Sequence, residues 1–367
     1  MDHDYALVVN SNWVYILSFL GSFATSLFFV PVVRKIAIRR MILDHPGKHK
    51  SHTEAVPYLG GLAMVLAFTV TVILAVVIRQ DLSFNDGSVI FNVGGLFQSG
   101  SNTVVELFVV LGLALCLGVM GLVDDLRGIR PSVRLMIELI IAVAVFAYGV
   151  KFETNLPIAI NFVITVIWIV GITNALNLLD NIDGLAAGIT GIAALVFYFI
   201  AHSNGQPFTA LLAVGLAGSS FGFLKSNFHP AKIYMGDAGS LYLGFLLAYI
   251  GLKIKVDPKE TSQILVPFVV MGVALLDTSM VVISRIRRGV SPFSGGKDHL
   301  SHRLMRLGLS VRRSVTFILL GSCMLGIVAV ALSRSDSAIG YWLFCAVLTA
   351  GIATTVLLTT KRAAELP

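Results

Sequence analysis

Long apolar runs alternate with short polar ones along most of the chain. The runs are too long for strands. A bilayer hydrocarbon core about 30 Å thick takes roughly 20 apolar residues per helix, and eleven such runs can be read: approximately 11–33, 57–79, 103–123, 133–150, 157–176, 186–201, 207–224, 237–253, 263–284, 313–332 and 338–360. The pattern predicts an all-α, polytopic integral membrane protein with about eleven transmembrane helices in a single transmembrane domain. Runs six to eight are short or Gly-rich, so their ends stay open. Asp2 and Asp4 precede the first run, where a secretory signal would carry basic residues and a small-residue cleavage site. The first run is therefore expected to be a retained span.

Composition removes the soluble alternative. A mean hydropathy of +0.87 with 13% charged residues belongs to the membrane class, so the usual division of 367 residues into two soluble domains does not apply. Charge then sets the orientation. With the N-terminus outside, only Arg79, Lys151, Lys253, Lys255, Lys259 and Arg334 of the 27 Lys and Arg fall on the outer face. The rest face the cytoplasm, as the positive-inside rule requires, and the C-terminus is cytoplasmic too. The net charge of +7 is explained by that asymmetry and by attraction to anionic membrane lipids, with no nucleic acid partner needed. Cys116, Cys323 and Cys345 all lie within runs, where cysteine behaves as a small hydrophobe.

The acidic residues sort themselves on this topology. Asp124 and Asp125 end run three, Asp180 and Asp183 lie in the loop before run six, and Asp237 opens run eight. All face the cytoplasm, in loops 124–132, 177–185 and 225–236. Acids at membrane depth are costly and usually line a pathway or a site. In "TNALNLLDNIDGLAAG", Asn174, Asn177, Asp180 and Asp183 recur every three residues, which on a helical turn makes one polar stripe. Carboxylates and amides offer oxygen ligands suited to Mg²⁺. A lone Asp183 before Gly184 would read as a helix cap, but four such residues beside an apolar run favour a site. Adjacent Asp124 and Asp125 repel unless a cation lies between them, though pairing with Arg127 or Arg130 is the bland alternative. Asp237, between Gly236 and Gly239, stands where helix amides favour an anion, or else caps that helix itself.

Two loops, 34–56 and 285–312, carry the basic residues. Arg285, Arg287 and Arg288 are accounted for by anionic headgroups. His299 and His302, with Lys297 and Arg303, cluster after Gly295-Gly296 in a pattern that suits a diphosphate. His-x-x-His alone is weak as a zinc motif. Lys48, Lys50 and His52 bring further positive charge to the same face. Asp277 and Glu138 are acids within runs nine and four, and the sequence leaves their roles open. The outer loop 80–102 is turn-rich and is assigned no chemistry.

Paired Asp124-Asp125, "NALNLLDNIDGLAAG", "MGDAGSLYLG" and "SPFSGGKDHLSHRLMRLG" resemble, in order and over nearly the whole chain, the polyprenyl-phosphate N-acetylhexosamine-1-phosphate transferase family. They are most similar to its bacterial undecaprenyl-phosphate N-acetylglucosamine-1-phosphate transferases. The resemblance implies transfer of N-acetylglucosamine 1-phosphate from UDP-GlcNAc to undecaprenyl phosphate in the bacterial inner membrane, with Mg²⁺ or Mn²⁺ as cofactor. It further implies Asp237 and Asn177 as metal ligands, and Asp124 and Asp125 as handling the acceptor phosphate or its proton. Asp180 and Asp183 would shape the nucleotide and metal pocket, and His299 and His302 would hold the diphosphate. Lys48, His52, Asn174, Lys297, Ser301 and Arg303 are expected substrate contacts. A homodimer is left open. The subgroup's last loop reads His-x-His-His where this chain has His299-Leu300-Ser301-His302. Serine donates a hydrogen bond but carries no charge, so another UDP-N-acetylhexosamine remains an alternative donor. A secondary transporter, whose site is expected near the midplane, and an intramembrane aspartyl protease are the rival readings.

Overall fold

The computed structural model describes residues 3–44, 55–81, 102–255, 259–291 and 296–359. Lys48, Lys50, His52 and nearly all of loop 80–102 lie outside the described residues. Every predicted run forms helix. In chain order these are α1 (His3–Arg39), α2 (Gly60–Asp81), α3 (Asn102–Arg127), α4 (Pro131–Ala147), α5 (Ile158–Leu179), α6 (Leu185–Ser203), α7 (Pro207–Asn227) and α8 (Asp237–Lys253). A 3-10 turn, Thr261–Leu265, leads into α9 (Val266–Val270) and α10 (Gly272–Arg287). A short α11 (Leu300–Arg306) precedes α12 (Val311–Leu332) and α13 (Ser337–Thr359).

Among the described residues seven helices are long and apolar enough to cross a bilayer: α1, α3, α5, α6, α7, α12 and α13, within the bounds Trp13–Arg39, Val104–Arg127, Ile158–Leu179, Leu185–Ser203, Pro207–Asn227, Val311–Leu332 and Ser337–Thr359. The protein is thus an all-α, multi-pass membrane protein. Run nine is not one straight helix, because Thr261–Val270 and Gly272–Arg287 meet at 69°. Proline opens α4 and α7 at the first turn, where its missing N–H costs nothing. Helix α8 is only 17 residues long and is buried on every side from Ala238 to Leu252. A helix apolar all round belongs in an interior, and α8 touches α2, α3, α5 and α7 there. By contrast α13 faces outward along nearly its whole length.

Two close approaches position the polar end of this core. A Cβ on Gly121 of α3 would stand 2.3 Å from the Asp237 carbonyl oxygen, so α3 and the start of α8 meet backbone to backbone. Asp124 then follows Gly121 by one turn and arrives beside Asp237. The two-residue strands β1 (Leu43–Asp44) and β2 (Val56–Pro57) pair antiparallel, with Leu43 opposite Pro57. Chain continuing from β2 is stitched to the segment before α8: Tyr234 N–H donates to the Pro57 carbonyl (2.9 Å), while Gly60 and Gly61 N–H donate to Tyr234 and Met235 carbonyls (2.7 and 2.8 Å).

Candidate active site

The start of α8 is capped from another helix. Both Asp125 oxygens accept its first amides, from Asp237 N–H at 2.8 Å and Ala238 N–H at 3.0 Å. The acceptor that the exposed amides of a helix N-terminus need is therefore supplied by the protein itself. Gly236 makes room for it: its φ is +75°, and a Cβ there would lie 2.6 Å from Asp125 Oδ2. Asp124, expected with Asp125 at the acceptor phosphate, turns differently. Its Oδ1 accepts from Ile129 N–H at 2.6 Å, closing the turn after α3.

Arg134, on α4, occupies the middle of the acids. Its guanidinium reaches Asp237 Oδ2 at 3.1 Å, Asp124 Oδ2 at 3.6 Å, Glu138 Oε1 at 3.2 Å and Asn177 Oδ1 at 2.7 Å. It also donates to Asn174 Oδ1 at 3.4 Å. Asn177 completes the ring by donating to Asp237 Oδ1 (2.6 Å) and Ser240 Oγ (2.9 Å). Asn174 donates to Glu138, which is buried. Sequence reasoning counted Arg134 only as a loop charge; the signal it missed was an Arg and a Glu four residues apart at the head of an apolar helix, a pairing distance on any α-helix. Asp237 keeps 28% of its side chain exposed, against 14% for Asp124 and 1% for Glu138, so it is the most outward of the three acids that meet Arg134.

The loop after α5 holds the other pair. Burial, with Asp237 and Asp125 nearby, raises the Asp180 carboxyl well above the usual carboxylate range. Asp183 is not the cap of α6. It accepts from Ala231 N–H (3.0 Å) and meets His229 Nδ1 at 2.7 Å, tying this loop to the segment before α8. The intervening Asn181 accepts from Ser301 Oγ at 2.8 Å. That bond links the Asp loop to the last loop and accounts for a buried serine at the position where the resemblance leads one to expect a third histidine.

The last loop divides in two. His299 is buried, its Nδ1 2.8 Å from Asp277 Oδ2, and Asp277 Oδ1 accepts from Leu300 N–H at 2.6 Å. Asp277 therefore orients His299 and caps α11 at once. Burial, together with neighbouring His299 and Lys297, pushes His302 down to about 4, so its ring is neutral at pH 7. The charge-assisted grip expected of His302 is absent in the free protein. Lys297 and Arg303 point elsewhere, into a cavity that neither histidine lines. Arg303 is held by the carbonyls of Asp298 and Leu358, both at 2.9 Å. Burial works against the Asp298 carboxylate, but hydrogen bonds and charge from Arg285 bring it below the usual carboxylate range.

Carboxylates from three distant segments thus converge at one end of the helices. As they stand, no three His, Cys, Asp or Glu among the described residues are arranged to hold a metal ion. Their chemistry nonetheless fits a hard divalent cation. Asp124, Asp125, Asp180, Asp237 and Glu138 present oxygen only, and the cation that the described ion pairs set among them is Arg134.

Comparison with known proteins agrees with this geometry. The sequence pattern of Glycosyl transferase family 4 matches residues 107–255, which include every acid of the cluster. A probable undecaprenyl-phosphate N-acetylglucosaminyl 1-phosphate transferase of Bacillus subtilis is 32% identical over 87% of this chain and 85% of its own. A decaprenyl-phosphate N-acetylglucosaminephosphotransferase of Mycolicibacterium smegmatis is 32% identical over 78% of this chain and 74% of its own. A phospho-N-acetylmuramoyl-pentapeptide-transferase of Bacillus cytotoxicus is 29% identical over 74% and 81%.

Proposed function

The chain belongs to glycosyl transferase family 4, and on that premise we propose that it transfers N-acetylglucosamine 1-phosphate from UDP-GlcNAc to undecaprenyl phosphate, releasing UMP. The observation that carries the reading is the acid cluster around Arg134, with Asp237 facing outward, at the end of a multi-pass helical core. The remaining features follow from charge and hydropathy: eleven spans in one domain, N-terminus outside, and the cluster facing the cytoplasm from the bacterial inner membrane.

In the reaction an acceptor phosphate oxygen forms a bond to the donor's β-phosphorus, and the bond from that phosphorus to the α–β bridging oxygen breaks, so UMP leaves with the bridging oxygen. Both Asp125 oxygens and Asp124 Oδ1 are already engaged by backbone amides. This favours the acceptor phosphate itself as the attacking group over an Asp. Two anionic reactants repel, and bringing them together is the protein's main task. Arg134 supplies one positive charge at that meeting point. Asp237 and Asn177 would hold Mg²⁺, which when bound neutralises the donor diphosphate. His302, neutral and half-buried, hydrogen-bonds a phosphate or sugar oxygen rather than pairing with it as an ion. The test is to incubate the purified protein with undecaprenyl phosphate and a panel of UDP-sugars, with and without chelator, and to score UMP. UMP from UDP-GlcNAc alone, abolished by chelation, is the expected result; release from another UDP-N-acetylhexosamine would reassign the donor, and metal-independent release would reject the Mg²⁺ ligands.

A further inference from the structure

A second polar site lies apart from the acid cluster. Where α10 and α13 end, a cavity of about 400 Å³ has Arg287, Arg288, Lys297, Arg303 and Arg306 in its wall, with Asp298 as its one carboxylate among the described residues. That carboxylate is already matched: Arg285 meets it with Nε and Nη2, both at 3.1 Å, and Arg288 at 2.7 Å. Arg303 donates to two backbone carbonyls. The cavity therefore holds a clear excess of positive charge. Asp124, Asp180, Asp237, His299 and His302 take no part in its lining.

Its surroundings are lipid-like. Ile283 is in the wall and 40% exposed, and Ile286 beside it is 60% exposed. On α13, Ile352 (58% exposed) and Val356 (55%) lie seven and three residues before Thr359, which also lines the cavity, so they share one helical stripe with it. An apolar stripe running up to a cationic cavity at the ends of α10 and α13 has the form of a phospholipid seat, with acyl chains along the stripe and the phosphate among the guanidinium groups.

We propose that this cavity binds the phosphate headgroup of an anionic phospholipid of the inner leaflet, at a place separate from the transfer site. The inference does not depend on the proposed reaction. Through Arg288, Lys297 and Arg303 a bound headgroup would tighten the loop that carries Asp298 and His299, coupling lipid composition to the order of α11.

The test uses the full chain in nanodiscs of phosphatidylcholine alone or mixed with phosphatidylglycerol, reading thermal unfolding and lipids retained in native mass spectrometry. Phosphatidylglycerol should raise the melting temperature of the wild-type protein by about 1–2 °C, the scale of a tenfold linkage effect on a chain of 367 residues. An Arg287→Gln/Arg306→Gln variant should lose most of that shift and retain several-fold less phosphatidylglycerol. An Arg287→Lys/Arg306→Lys variant, which keeps the charge, should retain the larger part of the shift. An undiminished shift in the Gln variant would overturn the proposal. So would an equal shift from inorganic phosphate at the same phosphate concentration, which would make this a soluble-anion site. Displacement of phosphatidylglycerol by UDP-GlcNAc or undecaprenyl phosphate would make the cavity part of the transfer site, and would likewise overturn it.

Discussion

The acid cluster at the head of α8 and the network around α11 are built from the same groups on the same face, yet they balance differently. Around α11 each acid is matched: Asp277 takes His299 and the Leu300 amide, and Asp298 takes Arg285 and Arg288. Around α8 several acids share Arg134. A matched buried network fixes shape, since removing one partner strands the other. An unmatched one keeps an appetite for cations, and it is there that a metal-bound, doubly anionic substrate would be drawn. On the proposed reading, the difference separates a scaffold from a reaction centre.

Asp298→Ala should cause the largest loss of stability, about 3–5 kcal/mol, because it takes away the carboxylate that meets the buried Arg285 with two hydrogen bonds. Thermal unfolding would show it, and an Arg285→Met/Asp298→Leu pair should recover most of it; a neutral single variant would mean the α11 network holds nothing. Asp180→Asn should behave oppositely. Its carboxyl is already driven toward the neutral form, so the melting temperature should hold or rise while UMP release falls by about 10²–10³, the scale for losing one preorganised polar contact in a reaction centre. If stability fell and turnover survived, the two regions would have been assigned the wrong way round.

Asp125→Asn sits on the boundary of the comparison, being an acid of the cluster with a scaffold's bonds. An amide has one acceptor oxygen where the carboxylate has two, so the cap on α8 should weaken by about 1 kcal/mol, visible in the melting temperature. His302 adds a pH dependence. His302 titrates near 4 when folded and near 6.5 when unfolded, so the unfolded chain binds the extra proton first. Its neutral form therefore supports the fold above about pH 6.5, and that contribution is lost as pH falls from about 6.5 to 4. His302→Gln should flatten the fall in melting temperature across this window; an unchanged slope would show that the ring is not held neutral.

How much of this was legible can be judged residue by residue. Apolar runs gave the helices, because a bilayer imposes length and hydropathy directly, and the alternation of runs brought Asp124, Asp180 and Asp237 to one face. The 69° break after Val270 was not read from the run, although Pro267 and Gly272 stand on either side of it. Nor was the division of labour between neighbours: Asp124 and Asp125 look alike in sequence, and only the approach of α3 to α8 at Gly121 makes one a trans cap and leaves the other beside Arg134. The largest omission was Arg134. The acids do meet, but the cation among them is a side chain drawn from α4, whose i, i+4 partner Glu138 was noticed without it.

The central claim is that the most outward of the acids meeting Arg134 carries phosphoglycosyl transfer. Asp237→Asn measures it most directly, with UMP release assayed at saturating UDP-GlcNAc and undecaprenyl phosphate over a Mg²⁺ titration, on protein shown by thermal unfolding to be folded. The expected outcome is an intact fold with turnover abolished at every Mg²⁺ concentration; turnover near the wild-type rate with an unchanged Mg²⁺ dependence would contradict it.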